Sequence, residues 1–246
     1  MILANLRERL TSDDYDFAAD ALTRREPARA ADFRALAASR AAALFDADGL
    51  PALLRDAPGY AAPSAALFVF VAVRHALLRA GVDDARLADY CAALLFEFGM
   101  RDRAYRIQPH DDATYRYLAD IVAGLGGPDP RRRFLLQAHL GNFSLWLAGI
   151  FPDLVTARRQ RRGGPDFDYY EALGARGFRL ASDDALAREL DVADIYARAA
   201  TEFATIRVAL NRVSDQAFFR STATPDRVLR QVTDDARTPG GTTPLF

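Results

Sequence analysis

Apolar residues recur along most of this chain in steps of three and four, the spacing that lines one face of a helix. The clearest run is 192–213. There Val192, Ile195, Tyr196, Ala199, Phe203, Ile206, Leu210 and Val213 trace one stripe and predict one amphipathic helix. Alternating runs of β-branched residues are missing, and only a Val/Phe cluster at 67–73 looks strand-like. Segment starts are marked by Ser12-Asp13-Asp14, by Pro27 (to about Phe45) and by Pro63 (to about Arg79, ended by Gly81). The triplet Asp-Asp-Ala stands at 83–85, 111–113, 183–185 and 234–236. The first three copies directly precede ARLADYCAALLFEF, ATYRYLADIVAGL and ALAREL. Carboxylates placed there accept from unpaired N–H groups and oppose the helix dipole. The pattern predicts an all-α fold: one globular domain over 1–237, about nine or ten crossed helices, and a flexible Pro/Gly-containing tail over 238–246.

Turns at Gly126-Gly127-Pro128 and Gly163-Gly164-Pro165 bracket the most hydrophobic segment, RRRFLLQAHLGNFSLWLAGIFPD at 131–153. Residues 134–152 contain no charged side chain. Gln137, His139, Asn142 and Ser144 lie near the middle and Pro152 cuts the run short, so a central buried helix near 131–151 fits better than a membrane span. At 100° per residue, Leu136, Leu140, Phe143, Leu147 and Ile150 form an apolar face. Gly141, Ser144 and Ala148 form a small-residue face that another helix can approach closely. His139, Asn142 and Trp146 share the remaining stripe. Buried polar groups need partners, so this stripe is either a structural hydrogen-bond network or the wall of a pocket.

Composition narrows the chemistry. Half the residues are hydrophobic, about a quarter are charged, and the net charge is −1. No global basic field draws the chain onto nucleic acid. All 32 basic residues are Arg, which excludes lysine Schiff bases, pyridoxal-phosphate lysines and Walker-type phosphate lysines. No cofactor is expected. The single cysteine, Cys91, lies in apolar LADYCAALL and reads as a buried, inert thiol. MILANLRERLTSDD lacks the charged-then-apolar order of a signal peptide, and the cytoplasm is the expected compartment, with neither a membrane nor a nucleic-acid partner.

Three motif readings are weighed and set aside. Asp83, Asp84 and Asp89 superficially resemble the magnesium-binding motif of terpene synthases, but each Asp pair sits at a helix start and no second ligand set follows. No histidine has an acid three residues before it, and a scattered set such as Glu97, His110 and His139 has no spacing to support it, so no metal is expected. His139-Leu-Gly-Asn-Phe-Ser144 resembles the His-x-Gly-Asn-Trp-Glu motif of the lipid A acyltransferases, a mixed α/β family whose His and following acid form the catalytic pair. Here Ser144 stands where that acid belongs, and a hydroxyl cannot hold the imidazole as a carboxylate does.

A second segment carries usable chemistry. RRQRRGGPDFDYYEALGARGFRLAS, 158–182, reads structurally as an Arg-terminated helix, a turn, and a new helix begun at Asp166 or Asp168. Functionally, Arg158, Arg159, Arg161 and Arg162 offer guanidinium forks, and Tyr169, Tyr170 and Glu171 a polar wall. Two functional expectations follow. One is a helical binding or interaction protein, self-associating or engaging a protein partner or small acidic ligand through 158–171. The alternative is an enzyme with a small pocket at His139, Asn142 and Trp146, with His139 as general base and Glu97 or Tyr170 reaching in.

Overall fold

Side-chain caps set several of the helix starts. Thr11 accepts from the N–H of Asp14 while Asp14 accepts from the N–H of Thr11, a closed capping box. Asp84 accepts from the N–H of Leu87 at 3.0 Å, and Asp184 from that of Leu186 at 3.0 Å. The computed structural model describes residues 1–57, 62–100, 102–108, 111–219, 227, 230 and 231. Among these are twelve α-helices and no strand, arranged as a single all-α domain. They are α1 Ser12–Arg25, α2 Ala30–Ala38, α3 Leu50–Arg55, α4 Ala65–Arg79, α5 Ala85–Phe98, α6 Leu118–Gly124, α7 Pro130–Ile150, α8 Pro152–Arg162, α9 Phe167–Ser182, α10 Ala185–Glu189, α11 Ala193–Thr201 and α12 Phe203–Val213.

Twelve exceeds the expected nine or ten, and several element bounds differ from the expected ones for physical reasons. The segment from Pro27 to Phe45 holds one α-helix between short 3-10 turns. The stripe at 192–213 is divided at Glu202, yet all eight of its residues are buried. The copy of Asp-Asp-Ala at 111–113 starts no helix. Asp111 binds Arg132 instead (2.8 Å), and α6 begins at Leu118. Asp83 likewise pairs with Arg74 (2.7 Å), while Asp89 accepts from the N–H of Arg7 (2.9 Å). The copy at 234–236 and the expected tail at 238–246 lie outside the described residues.

The central helix is α7, begun by the cap Asp129 and by Pro130, and buried along most of its length. Its small-residue face does what its geometry predicts. A Cβ on Gly177 of α9 would lie 2.8 Å from both the carbonyl of Gln137 and the N–H nitrogen of Gly141. A Cβ on Gly141 would meet the Phe178 ring at 2.6 Å. The two helices therefore touch backbone to backbone, a distance only glycine permits.

The end of α7 is finished by side chains of α12 and the turn after it. Asn211 donates to the carbonyls of Ala148 (2.7 Å) and Gly149 (2.8 Å), and the hydroxyl of Ser214 donates to that of Ile150 (2.7 Å). These carbonyls would otherwise lack helical partners. Beyond Phe151, Pro152 restarts the chain as α8 at 90° to α7. No single described helix is long and apolar enough to cross a membrane, and α7 with α8 reaches that length and apolarity only together, as this bent pair.

Candidate functional site

The stripe of α7 divides into two environments. His139 and Asn142 are 4% and 3% exposed. The imidazole stacks on Phe143 (centroids 5.9 Å apart, planes at 27°) and is flanked by the rings of Phe98 and Tyr115. Its Nε2 has no hydrogen-bond partner. Burial, then the positive charges of Arg103, the N-terminus and Arg132, push the imidazole down to about 3, so it is neutral near pH 7. Asn142 accepts a hydrogen bond from the Tyr90 hydroxyl. The void against these two residues is about 10 Å³, lined also by Ile2, Phe98 and Arg103. That is room for about one water. Glu97 does not reach in, because it is held by Arg9 (2.6 Å) and Arg103 (3.7 Å).

Trp146 faces different surroundings. It is partly buried, meeting Phe98 edge-on (5.8 Å, 81°) and Phe151 edge-on (4.9 Å, 76°). These rings form one wall of an open cavity of about 550 Å³. Phe98 lines both spaces. The sequence stripe therefore does not bring His139, Asn142 and Trp146 into one pocket. Its first two residues close the core and its third opens onto a cavity. The other wall residues, among them Phe218 and Phe219, were not anticipated, since they gather from α4, α5, α7 and the turn after α12. Their only sequence signal is an apolar pair just beyond the regular stripe of α12.

The 158–171 segment also sorts by role. Gly163 (φ +59) ends α8, and the N–H groups of Gly163 and Gly164 return to the carbonyls of Arg159 and Arg158. Asp166 caps α9 through the N–H of Tyr169 (3.1 Å) and binds Arg159 (2.7 Å). Tyr170 is buried beside Arg158, and desolvation pushes its phenol up. Glu171 binds Arg207 (2.7 Å), a buried residue that also donates to Asn211 (2.8 Å) and lies over the Phe167 ring. Arg159, Tyr170 and Glu171 thus hold the fold. Arg158, Arg161, Arg162 and Tyr169 remain on the surface.

Among the described residues no group of three or more His, Cys, Asp or Glu side chains could hold a metal ion, and His110 lies outside them. Cys91 is buried and its thiol is pushed up to about 12 by desolvation, as its apolar context predicts. No protein-family model matches the chain, and neither a curated protein nor a solved structure does.

Proposed function

We propose that the chain is a cytosolic binding protein that takes an acidic protein partner on the surface formed by the end of α8 and the start of α9. Arg161 and Arg162 carry this reading. Both are exposed, and neither has an ion-pair or hydrogen-bond partner among the described residues. Arg158 and the exposed ring of Tyr169 extend the same surface. Guanidinium forks left in water bind carboxylates in pairs with defined geometry, and an adjacent tyrosine adds apolar contact area. The alternative, catalysis at His139, has little to support it. The void there takes no substrate, and an imidazole at about 3 is a weak base at neutral pH.

The test is fluorescence anisotropy with a labelled oligoglutamate peptide. Wild type should bind it in a salt-dependent way, and the Arg161→Glu/Arg162→Glu double variant should lose at least tenfold in affinity at an unchanged melting temperature. Arg159 is left alone because it serves the cap of α9. Equal binding by both proteins overturns the reading. If sedimentation shows a wild-type dimer that the same variant dissociates, the acidic partner is a second copy of this chain.

A further inference from the structure

We propose that the cavity at Trp146 is a binding site for a neutral, ring-bearing apolar small molecule. This goes beyond the arginine surface and does not depend on it. The size is that of a ligand site. At about 30 Å³ per non-hydrogen atom, the share a water takes in the liquid, about 550 Å³ holds on the order of 15–20 such atoms.

The lining decides the class. Every wall residue is apolar or glycine, and the indole N–H of Trp146 is the one conventional side-chain donor among them. A carboxylate or ammonium placed inside would lose its hydration with no counter-charge to meet it. Rings dominate the wall. Phe98, Trp146, Phe151 and Phe219 follow one another at centroid separations of 5.8, 4.9 and 5.9 Å, all steeply inclined. Such a wall offers ring faces and edges to a planar or polycyclic guest, for which offset and edge-to-face packing add attraction beyond burial alone.

The wall is also built rather than incidental. After α12 the chain winds as a π-turn, Ser214–Phe218, a geometry that recurs at functional sites. This turn carries Phe218 and Phe219, 41% and 38% exposed, to the rim. It is pinned at several points. Ser214 donates to Ile150, the N–H of Phe219 returns to the carbonyl of Ser214 (2.9 Å), and Asp215 binds Arg230 (2.9 Å) and Arg227 (3.3 Å). Exposed phenylalanines held this firmly fit a preformed site better than a loose surface turn.

The chain has one tryptophan, so the site has a built-in reporter. The probe is 1-aminoanthracene, neutral and three-ringed, added to the full-length protein. One saturable site is expected, with quenching of Trp146 emission as probe emission rises. Val69→Trp places a ring in the cavity from the α4 wall and should weaken binding at least tenfold. Phe219→Ala removes part of the rim and should weaken it several-fold at an unchanged melting temperature, which separates loss of site from loss of fold. Arg161→Glu/Arg162→Glu should leave the probe affinity alone. No saturable binding by wild type, or equal binding by wild type and both cavity variants, overturns the proposal. So does displacement by palmitate at concentrations where neutral phenanthrene has no effect, which would make the guest a carboxylate. Binding that appears only after Leu245→Ser/Phe246→Ser would assign the cavity to the chain's own end and overturn it as well.

Discussion

The two ends of the α7 stripe share a helix and a face but not an environment. At His139 and Asn142 the neighbours close in until about 10 Å³ is left; one turn on, at Trp146, they stand back around about 550 Å³. Side-chain type does not explain the contrast, because indole, imidazole and amide can each serve a core or a site. The neighbours do. Around His139 and Asn142 the rings of Phe98 and Tyr115, the Tyr90 hydroxyl, Ile2 and Arg103 crowd in. Near Trp146 the chain turns through 90° at Phe151–Pro152, and the last helical turn is covered mainly from the α12 side. A packed interior tolerates no gap of this size unless it opens to water or to a guest.

Substitutions can separate the two ends, and the largest effect belongs to the closed one. Gly177→Ala forces a methyl group against the α7 backbone and should cost about 3 kcal/mol, measured by urea unfolding. A loss below about 1 kcal/mol would mean that the helices part easily and that the closed end is less closed than described. Acid comes next. His139 sits near 3 in the folded protein, below the ordinary value of about 6.5 for an unfolded chain. Between these values the unfolded state binds the extra proton, so its contribution to stability is full above pH 6.5 and is lost as pH falls toward 3. About 2 kcal/mol should disappear between pH 6.5 and pH 5, at about 1.4 kcal/mol per unit. His139→Phe should flatten that part of the stability profile relative to wild type. His75, also pushed down by burial, contributes with the same sign to both proteins, and identical profiles would show that His139 is not enclosed.

Smaller effects mark the passage to the open end. Tyr90→Phe removes the hydroxyl that serves Asn142 and should cost about 1–2 kcal/mol by leaving a buried amide oxygen unpaired. Trp146→Phe should cost less than about 1 kcal/mol, since the ring already borders open space. In wild type, acrylamide should quench the Trp146 emission readily. A tryptophan shielded from the quencher would place Trp146 with its sealed neighbours and erase the contrast.

Much of this architecture is legible in the sequence where a local rule governs. The eight-residue stripe at 192–213 reads correctly as buried, and so do the apolar and small-residue faces of α7, because 100° per residue holds along any helix; the third face is buried at His139 and Asn142 but not at Trp146. The interruption at Glu202 is invisible to that rule, since a one-residue break leaves the stripe in phase. Asp84 and Asp184 act as the caps their positions suggest, whereas Asp111 is drawn off by Arg132, which is twenty-one residues away and whose approach no local pattern records. Glu171 stands in an apparently free polar wall until the fold delivers Arg207 to it. The cavity is the least legible feature, because it lies between side chains from four separate elements rather than on any one of them.

The ion cluster that pins the π-turn also sets an order of events. Arg227 meets Asp153 across 74 residues of chain, and Arg230 meets Asp215 across 15. During synthesis the N-terminal side of a chain emerges first. The partners that bring α7 and α9 together are all complete before the codons for Arg227 and Arg230 are read. The clamp on the turn bearing Phe218 and Phe219 cannot close until Arg227 and Arg230 have themselves been made. The core is therefore available early to a nascent chain, while the aromatic rim is fixed only later, and a polypeptide released short of Arg227 would carry a folded centre with an unfastened edge.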